Sequence, residues 1–394
     1  MGLYQDILDY LGESGLVFVR RFIPYFLASF GCHIFNIRNR LFDEEETPLA
    51  IYWENRRIPD MRLPIMMIAP PVFSKSTFLK HLLENFHGVF ATVVETFFKS
   101  YVSEAHLVGS VSTSKKQEKI EVVGFLELHP NCIIGVEEFS TIIVAGKQEH
   151  SMGLDGVLLD WLGGSDIRKG LKAGDIGFKT NSTLWAGTQL GRERIELHGG
   201  MGRRFFFILF VPTRQDVDTL RDAMVDVDNL PLDFKALGKL RTRLKNLVER
   251  VDRLDGIYLT NELKDYFREN LEPSEIPLFR KLSIGYAIMQ EDFDTVLEVG
   301  LDDELRRLMD TAMKWRRRIY REISDETGLG TDMVIQILKL AGGSMKCDDL
   351  QTKLLLFEVS YAESDRYLKN LKNQKRILIY HDKDKNEVWV RLIG

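Results

Sequence analysis

The chain is poor in cysteine, has no long unbroken apolar run and carries no strong charge of either sign. Its three cysteines, Cys32, Cys132 and Cys347, lie far apart, with no C-x-x-C pair and no Cys/His cluster. That spacing argues for a reducing compartment and against structural zinc. A net charge of −5 excludes a global basic field, so any nucleic-acid surface must be local. The most apolar early stretch, Gly15 to Phe30, is interrupted by Arg20, Arg21 and Pro24. It is too short and too charged to span a bilayer and lacks the small-residue cleavage site of a signal peptide. A packing or docking helix is the better reading, and a cytoplasmic protein with no membrane partner is expected. Internal repeats and low-complexity tracts are lacking as well.

The most telling shortage is glycine at one place. Residues 65–79 read Ile-Met-Met-Ile-Ala-Pro-Pro-Val-Phe-Ser-Lys-Ser-Thr-Phe-Leu. An apolar run enters this segment and an apolar-periodic one leaves it, the strand–loop–helix context of a Walker A phosphate loop, G-x-x-x-x-G-K-[ST]. Ala69 and Ser74 replace the two glycines, while Lys75 and Ser76 are kept. The loop residues Ala69, Pro70, Pro71, Val72, Phe73, Ser74, Lys75, Ser76 and Thr77 are therefore candidate nucleotide contacts. Lys75 would reach the β- and γ-phosphates of ATP and Ser76 would hold Mg²⁺, with loop N–H groups and the helix N-terminus binding the anion. Against this stands the bulk of Val72 and Phe73 and the narrower backbone freedom of Ala69.

What is present elsewhere fits that start. Short apolar runs at Leu63–Ile68, Val89–Val94, Cys132–Val136, Thr183–Ala186 and Phe205–Val211 alternate with helical patterns and suit buried parallel strands. The fourth of these leads through Gly187 to Thr188, which can orient an attacking water if its strand lies between the two phosphate-site strands. The third is followed by Glu137-Glu138: one carboxylate, Glu137, would support the metal shell and the other, Glu138, would polarise the water. Arg203 and Arg204, after a Gly-rich turn and before the last run, suit a guanidinium presented to a neighbouring subunit's γ-phosphate, an effect of ~10³–10⁵ in rate. From Asp216 to about Gly328 the chain reads as helices. Beyond that, Met333–Leu340, Cys347–Leu356 and Ala362–Gln374 read as three helices, followed by strands Ile377–His381 and Val388–Leu392 around a polar tip, a winged helix-turn-helix pattern. The basic run Lys314–Arg321 reads as a solvated helix face.

In this order the motifs resemble the minichromosome maintenance (MCM) branch of AAA+ ATPases, the replicative helicases of archaea and eukaryotes. Ala69-Pro-Pro-Val-Phe-Ser-Lys-Ser76 is similar to the family's G-D-P-G-V-A-K-S. Val108–Leu128 resembles its helix-2 insert, Ile133–Phe139 its I-C-C-I-D-E-F, and Leu171–Ile176 the A-K-A-G-I of its pre-sensor-1 hairpin. Arg204-Phe205 matches the S-R-F arginine finger, and Ile276–Leu282 the lid's I-P-I-T-x-R-Q-L, which makes Arg280 the sensor-2 candidate.

The resemblance covers residues 60–300. It implies an α/β AAA+ P-loop core with a helical lid plus a C-terminal winged helix-turn-helix domain. The expected divisions are a helical extension (1–60), the ATPase core (61–215), lid and linker (216–328) and the winged helix (329–394). With residues 1–60 ahead of the core, a short form lacking the family's N-terminal zinc-ribbon domain is expected. The implied activity is an ATP-driven DNA translocase or helicase acting in replication as a homo-oligomeric, hexameric ring. Hairpin lysines Lys115, Lys116, Lys169 and Lys172 would hold the DNA backbone in its channel. The runner-up is a weakly active or inactive DNA-binding initiator or scaffold, and a third reading is an AAA+ transcription regulator.

Overall fold

A computed structural model describes residues 2–13, 17–39, 51–53, 56–58, 60–70, 75–84, 86–100, 102–113, 119–139, 154–171, 174–188, 202–210, 213, 215–216, 218–219, 221, 233–327, 329–356, 359, 361–382 and 386–393. Its contacts divide the chain into two units, Met1–Asp265 with Pro277–Ala312, and Tyr266–Ile276 with Met313–Gly394.

The first unit is built on a five-stranded sheet: β1 (Ile65–Ile68), β2 (Thr96–Lys99), β3 (Ile133–Val136), β4 (Thr183–Thr188) and β5 (Phe206–Leu209). The spatial order is β5-β1-β4-β3-β2, and every neighbouring pair is parallel. The register sets Ile65 against both Trp185 and Phe206, and Thr183 against Ile133. Strands β1, β3, β4 and β5 are buried throughout, which is why their sequences are continuous apolar runs rather than alternating ones. All five carboxyl ends face one edge of the sheet. The chain crosses from β1 to the far strand β2, returns through β3 and β4, then passes β1 to reach β5. A crevice at the carboxyl ends of β1 and β4 is the place where such a sheet binds ligands.

The expected strand at Val89–Val94 is not one, and β2 lies further on at Thr96–Lys99. The apolar run instead closes the end of helix Lys75–Leu83: Val89 N–H donates to His81 O and Phe90 N–H to Leu82 O, both at 3.0 Å. Phe90 is buried in a stack on Phe30, centroids 4.1 Å apart. Burial without ladder bonding explains the misreading.

Helices α1 (Leu3–Glu13), α2 (Ile23–Asn39) and α3 (Lys75–Leu83) belong to this unit. Phe26 of α2 touches both Phe78 of α3 and Trp185 of β4, at 5.0 and 5.1 Å between centroids. Ser29 Oγ donates to Leu63 O at 2.6 Å and accepts from Trp185 Nε1 at 2.8 Å. From Ile23 on, the apolar N-terminal stretch is therefore a packing helix laid against the sheet, preceded by a 3-10 helix at Val17–Phe22; each large side chain contributes roughly 1.5–3 kcal/mol by burial. Its other neighbour is helix Ile276–Met289. A Cβ on Gly285 would stand 1.9 Å from Ala28 O, and one on Gly31 2.4 Å from Gly285 O, so two glycines set this close crossing.

Ahead of β1, a buried clamp fixes the strand. Arg62 Nε donates to Asp60 Oδ1 at 2.8 Å, Nη1 to Ser182 O at 2.7 Å and Nη2 to Trp161 O at 2.6 Å. These bonds join the approach to β1 with the start of β4 and the helix Leu154–Gly163. Removing one partner of such a buried pair costs about 3–5 kcal/mol.

Two antiparallel hairpins extend from the unit. Gly109–Thr113 pairs with Lys119–Val123, and Ile167–Leu171 pairs with Gly174–Phe178. Strand Gly109–Thr113 packs beside strand Gly174–Phe178, so the hairpins are neighbours. From Phe234 on, the expected helices are present, at Phe234–Val251, Asn261–Asn270, Ile276–Met289 and Asp303–Thr327. The same region also holds a short parallel ribbon of Gly256–Leu259 with Val296–Val299. A further ribbon joins Ile51–Trp53 to Arg56–Ile58.

The second unit contains helices Leu329–Leu340, Cys347–Leu356 and Tyr361–Asn373 around a core that includes Val334, Leu338, Leu350, Leu354, Leu368 and Leu371. Gly342 and Gly343, at φ of +80° and +90°, end the first helix, and Gly343 N–H returns to Leu338 O at 2.8 Å. Strands Ile377–Asp382 and Glu387–Leu392 form the expected hairpin, and Ser344–Lys346 adds a third strand to it. Among the described residues no helix is long and apolar enough to cross a membrane.

Candidate functional site

Five side chains from three segments meet at the carboxyl edge of the sheet. Ala69 continues β1, its N–H donating to Thr188 O at 3.1 Å. Lys75 opens α3 and is almost fully buried; its Nζ turns back to donate to Ala69 O at 2.8 Å and Pro70 O at 3.4 Å. Lys75 thus braces the two ends of the loop. Ser76 Oγ donates to Glu137 Oε1 at 2.5 Å. Thr188, at the end of β4 and hence between β1 and β3, donates from Oγ1 to Glu138 Oε1 at 3.1 Å. Glu137 N–H is held by Lys99 O at 3.0 Å and Phe139 N–H by Gly187 O at 2.8 Å, which fixes the backbone carrying both carboxylates.

Burial pushes the Lys75 ammonium below its ordinary pKa; Glu138 and then Glu137 pull it part of the way back. A desolvated cation facing two carboxylates beside a helix N-terminus is poised for a polyanion, whose charge would favour the protonated form.

Ala69 is not among the described residues with positive φ, so the first of the two missing glycines is replaced where no left-handed backbone is needed. The remaining loop candidates Pro71, Val72, Phe73 and Ser74 lie outside the described residues. Thr77, one residue past Ser76, is exposed on α3.

Gly187 was not singled out from the sequence. A Cβ there would stand 2.6 Å from Glu137 O and 3.7 Å from Lys75 Cδ, so β4 closes on the site only because this residue has no side chain. A glycine inside an otherwise buried strand is the signal that could have found it.

The arginines are elsewhere. Arg204 and Arg203 precede β5, and the β5–β1 register puts Arg204 level with Leu63, at the amino end of the sheet. The six residue steps from Leu63 to Ala69 span about 20 Å of strand, far beyond an arginine's reach. Arg203 is exposed; Arg204 is half-buried along Gly163, where a Cβ would come within 2.9 Å of its Nε. Arg280 is solvent-exposed on helix Ile276–Met289, yet crowded enough that desolvation lowers its pKa. Its neighbours Phe279 and Lys281 reach Phe206 and Arg62 O, again at the amino end. None of the three arginines joins the Lys75 cluster of its own chain.

Lys169 pairs through its backbone with Ile176, its side chain being outside the described residues, as are Lys172, Lys115 and Lys116 entirely.

Among the described residues no group of three or more His, Cys, Asp or Glu side chains could hold a metal ion. The Ser76–Glu137 pair fits a different requirement: Mg²⁺ takes one or two protein oxygens and completes its shell with phosphate and water. No protein-family model matches the chain, and no curated protein matches it.

Proposed function

We propose that this chain is an ATP-hydrolysing DNA translocase of the MCM-like AAA+ type, acting as a ring of identical copies, with a winged helix as its C-terminal unit. The observation that carries this reading is the convergence of Lys75, Ser76, Glu137, Glu138 and Thr188 at the carboxyl edge of a parallel sheet ordered β5-β1-β4-β3-β2. Lys75 would leave its two carbonyl partners for the phosphates. Ser76 Oγ and Glu137 would hold Mg²⁺, which when bound neutralises charge on the phosphate oxygens. Glu138 is the group to accept a proton from water, at the oxygen Oε1 that Thr188 orients.

The position of Arg204 and Arg280 at the opposite end of the strands supports action on a neighbouring copy's phosphates rather than on their own. The adjacent hairpins Gly109–Val123 and Ile167–Phe178, with Lys115, Lys116 and Lys172 in the intervening residues, support a shared DNA-backbone contact.

The test is DNA-stimulated ATP hydrolysis by the native chain, Lys75→Ala and Glu138→Gln. Native turnover should exceed both variants by at least tenfold, with Glu138→Gln still binding ATP. Equal, background-level turnover in all three would sink the motor reading.

A further inference from the structure

The helix Tyr361–Asn373 divides sharply into two faces. Ser364, Tyr367, Leu368 and Leu371 are buried, the last three in the core of the second unit. Asp365, Lys369, Asn370, Lys372 and Asn373 are exposed, and Lys375 and Arg376 continue the basic run just past the helix. The one carboxylate on that face, Asp365, accepts from Gln351 Nε2 at 2.7 Å. Helix Cys347–Leu356 precedes it across residues 357–360, the connection length of a helix-turn-helix pair.

From this face we infer a duplex-DNA site in the C-terminal unit, with Lys369 and Lys372 on backbone phosphates and Asn370 and Asn373 turned to base edges in the major groove. The inference rests on the DNA-binding half of the function proposed above, not on nucleotide turnover.

The chemistry of the face favours nucleic acid over protein. Protein interfaces are depleted in lysine at their cores and enriched in aromatics and methionine; this face is lysine and asparagine, with Tyr361 exposed only at its start. An α-helix fits the major groove of B-form DNA, where an asparagine amide can pair with the adenine edge. The deep, narrow major groove of A-form RNA does not admit a helix. Lys372 in the last turn also complements the helix dipole, but Lys369, a turn earlier, lies beyond that effect.

The experiment measures binding of the full chain, without nucleotide, to a labelled short DNA duplex and to labelled oligo-dT across a salt series. Lys369→Gln/Lys372→Gln should weaken duplex binding about tenfold or more and flatten its log–log salt slope by about 2. Oligo-dT binding and ATP hydrolysis should be unchanged. Lys369→Arg/Lys372→Arg should keep duplex affinity, and an RNA duplex should compete poorly. Unchanged duplex affinity and slope in the Gln variant would overturn the inference, as would equal loss in the Arg variant or equal competition by RNA. A native chain that hydrolyses ATP while the Gln variant binds duplex normally would remove this site and leave the motor reading intact. Loss of duplex binding in a chain without turnover would do the reverse.

Discussion

Replacing Lys75 by methionine keeps the length of the side chain and removes its charge, so the phosphate-binding role separates from the structural one. The ammonium donates to Ala69 O and Pro70 O while almost fully buried. Leaving the buried Ala69 carbonyl unpaired costs about 1–3 kcal/mol, and relief of the buried charge offsets part of that. The sign of the charge effect follows from the lowered pKa. The unfolded chain holds this proton more tightly, so the penalty is full below the folded-state value and fades as pH rises from there toward about 10.4.

With ligand the balance changes. A charge-assisted contact from Nζ to phosphate is worth about 1.5–3 kcal/mol, or roughly 10- to 150-fold in Kd. ATP at about 100 times the native Kd stabilises the native chain by about 2.7 kcal/mol. At the same concentration Lys75→Met should gain only about 0.3–1.4 kcal/mol. The assay is urea unfolding with and without Mg·ATP. An ATP-dependent gain in Lys75→Met equal to the native one refutes a phosphate role for Lys75, whatever its effect on the ligand-free protein.

Two further outcomes follow from groups away from Lys75. His33 of α2 is fully buried with Nδ1 2.9 Å from Thr183 Oγ1, and burial, then the Arg62 charge, pushes its pKa down to about 3. Its folded form stays neutral while the unfolded chain protonates below about pH 6.5, so urea unfolding should show about 2 kcal/mol lost from pH 7.5 to 5 in the native chain but not in His33→Asn. Arg204→Ala should be inactive alone in the ATPase assay, as should Glu138→Gln; mixing the two before assembly should restore part of the turnover if one copy's arginine serves another's site. No recovery on mixing, or an active Arg204→Ala, would remove the shared-site role.

The sheet was legible where burial made a strand apolar from end to end. Four of the five runs fall on strands because β1, β3, β4 and β5 are covered on both faces. Edge strand β2 escaped because Thr96-Phe97-Phe98-Lys99 is mostly half-exposed, while the more apolar Val89–Val94 next to it spends the N–H groups of Val89 and Phe90 on the end of α3 and those of Ala91, Val93 and Val94 on local turns. Hydrophobicity reports burial, and only the hydrogen-bond destination separates a strand from a buried turn. The short third strand Ser344–Lys346 and the ribbon Gly256–Leu259/Val296–Val299 are half-exposed or joined across long sequence separations, so neither leaves a local pattern.

For the site, residue type carried more than the loop pattern did. A lysine-serine pair at a helix start, two carboxylates after one strand and a hydroxyl after another could each be chance; β4 between β1 and β3 is what brings them together. The missing glycines pointed to a damaged loop because glycine is required only where backbone enters the left-handed region or packs without room for a Cβ. At Ala69 neither demand arises: the residue extends β1 to Thr188 O and is otherwise touched by Lys75 Nζ at its carbonyl. The demand has moved to Gly187, where the approach to Glu137 O leaves no space for a side chain. One glycine the phosphate-loop pattern prescribes is thus dispensable here, and one it never mentions is required. A loop of this kind is better judged by where its lysine, hydroxyl and carboxylates meet than by its match to the motif.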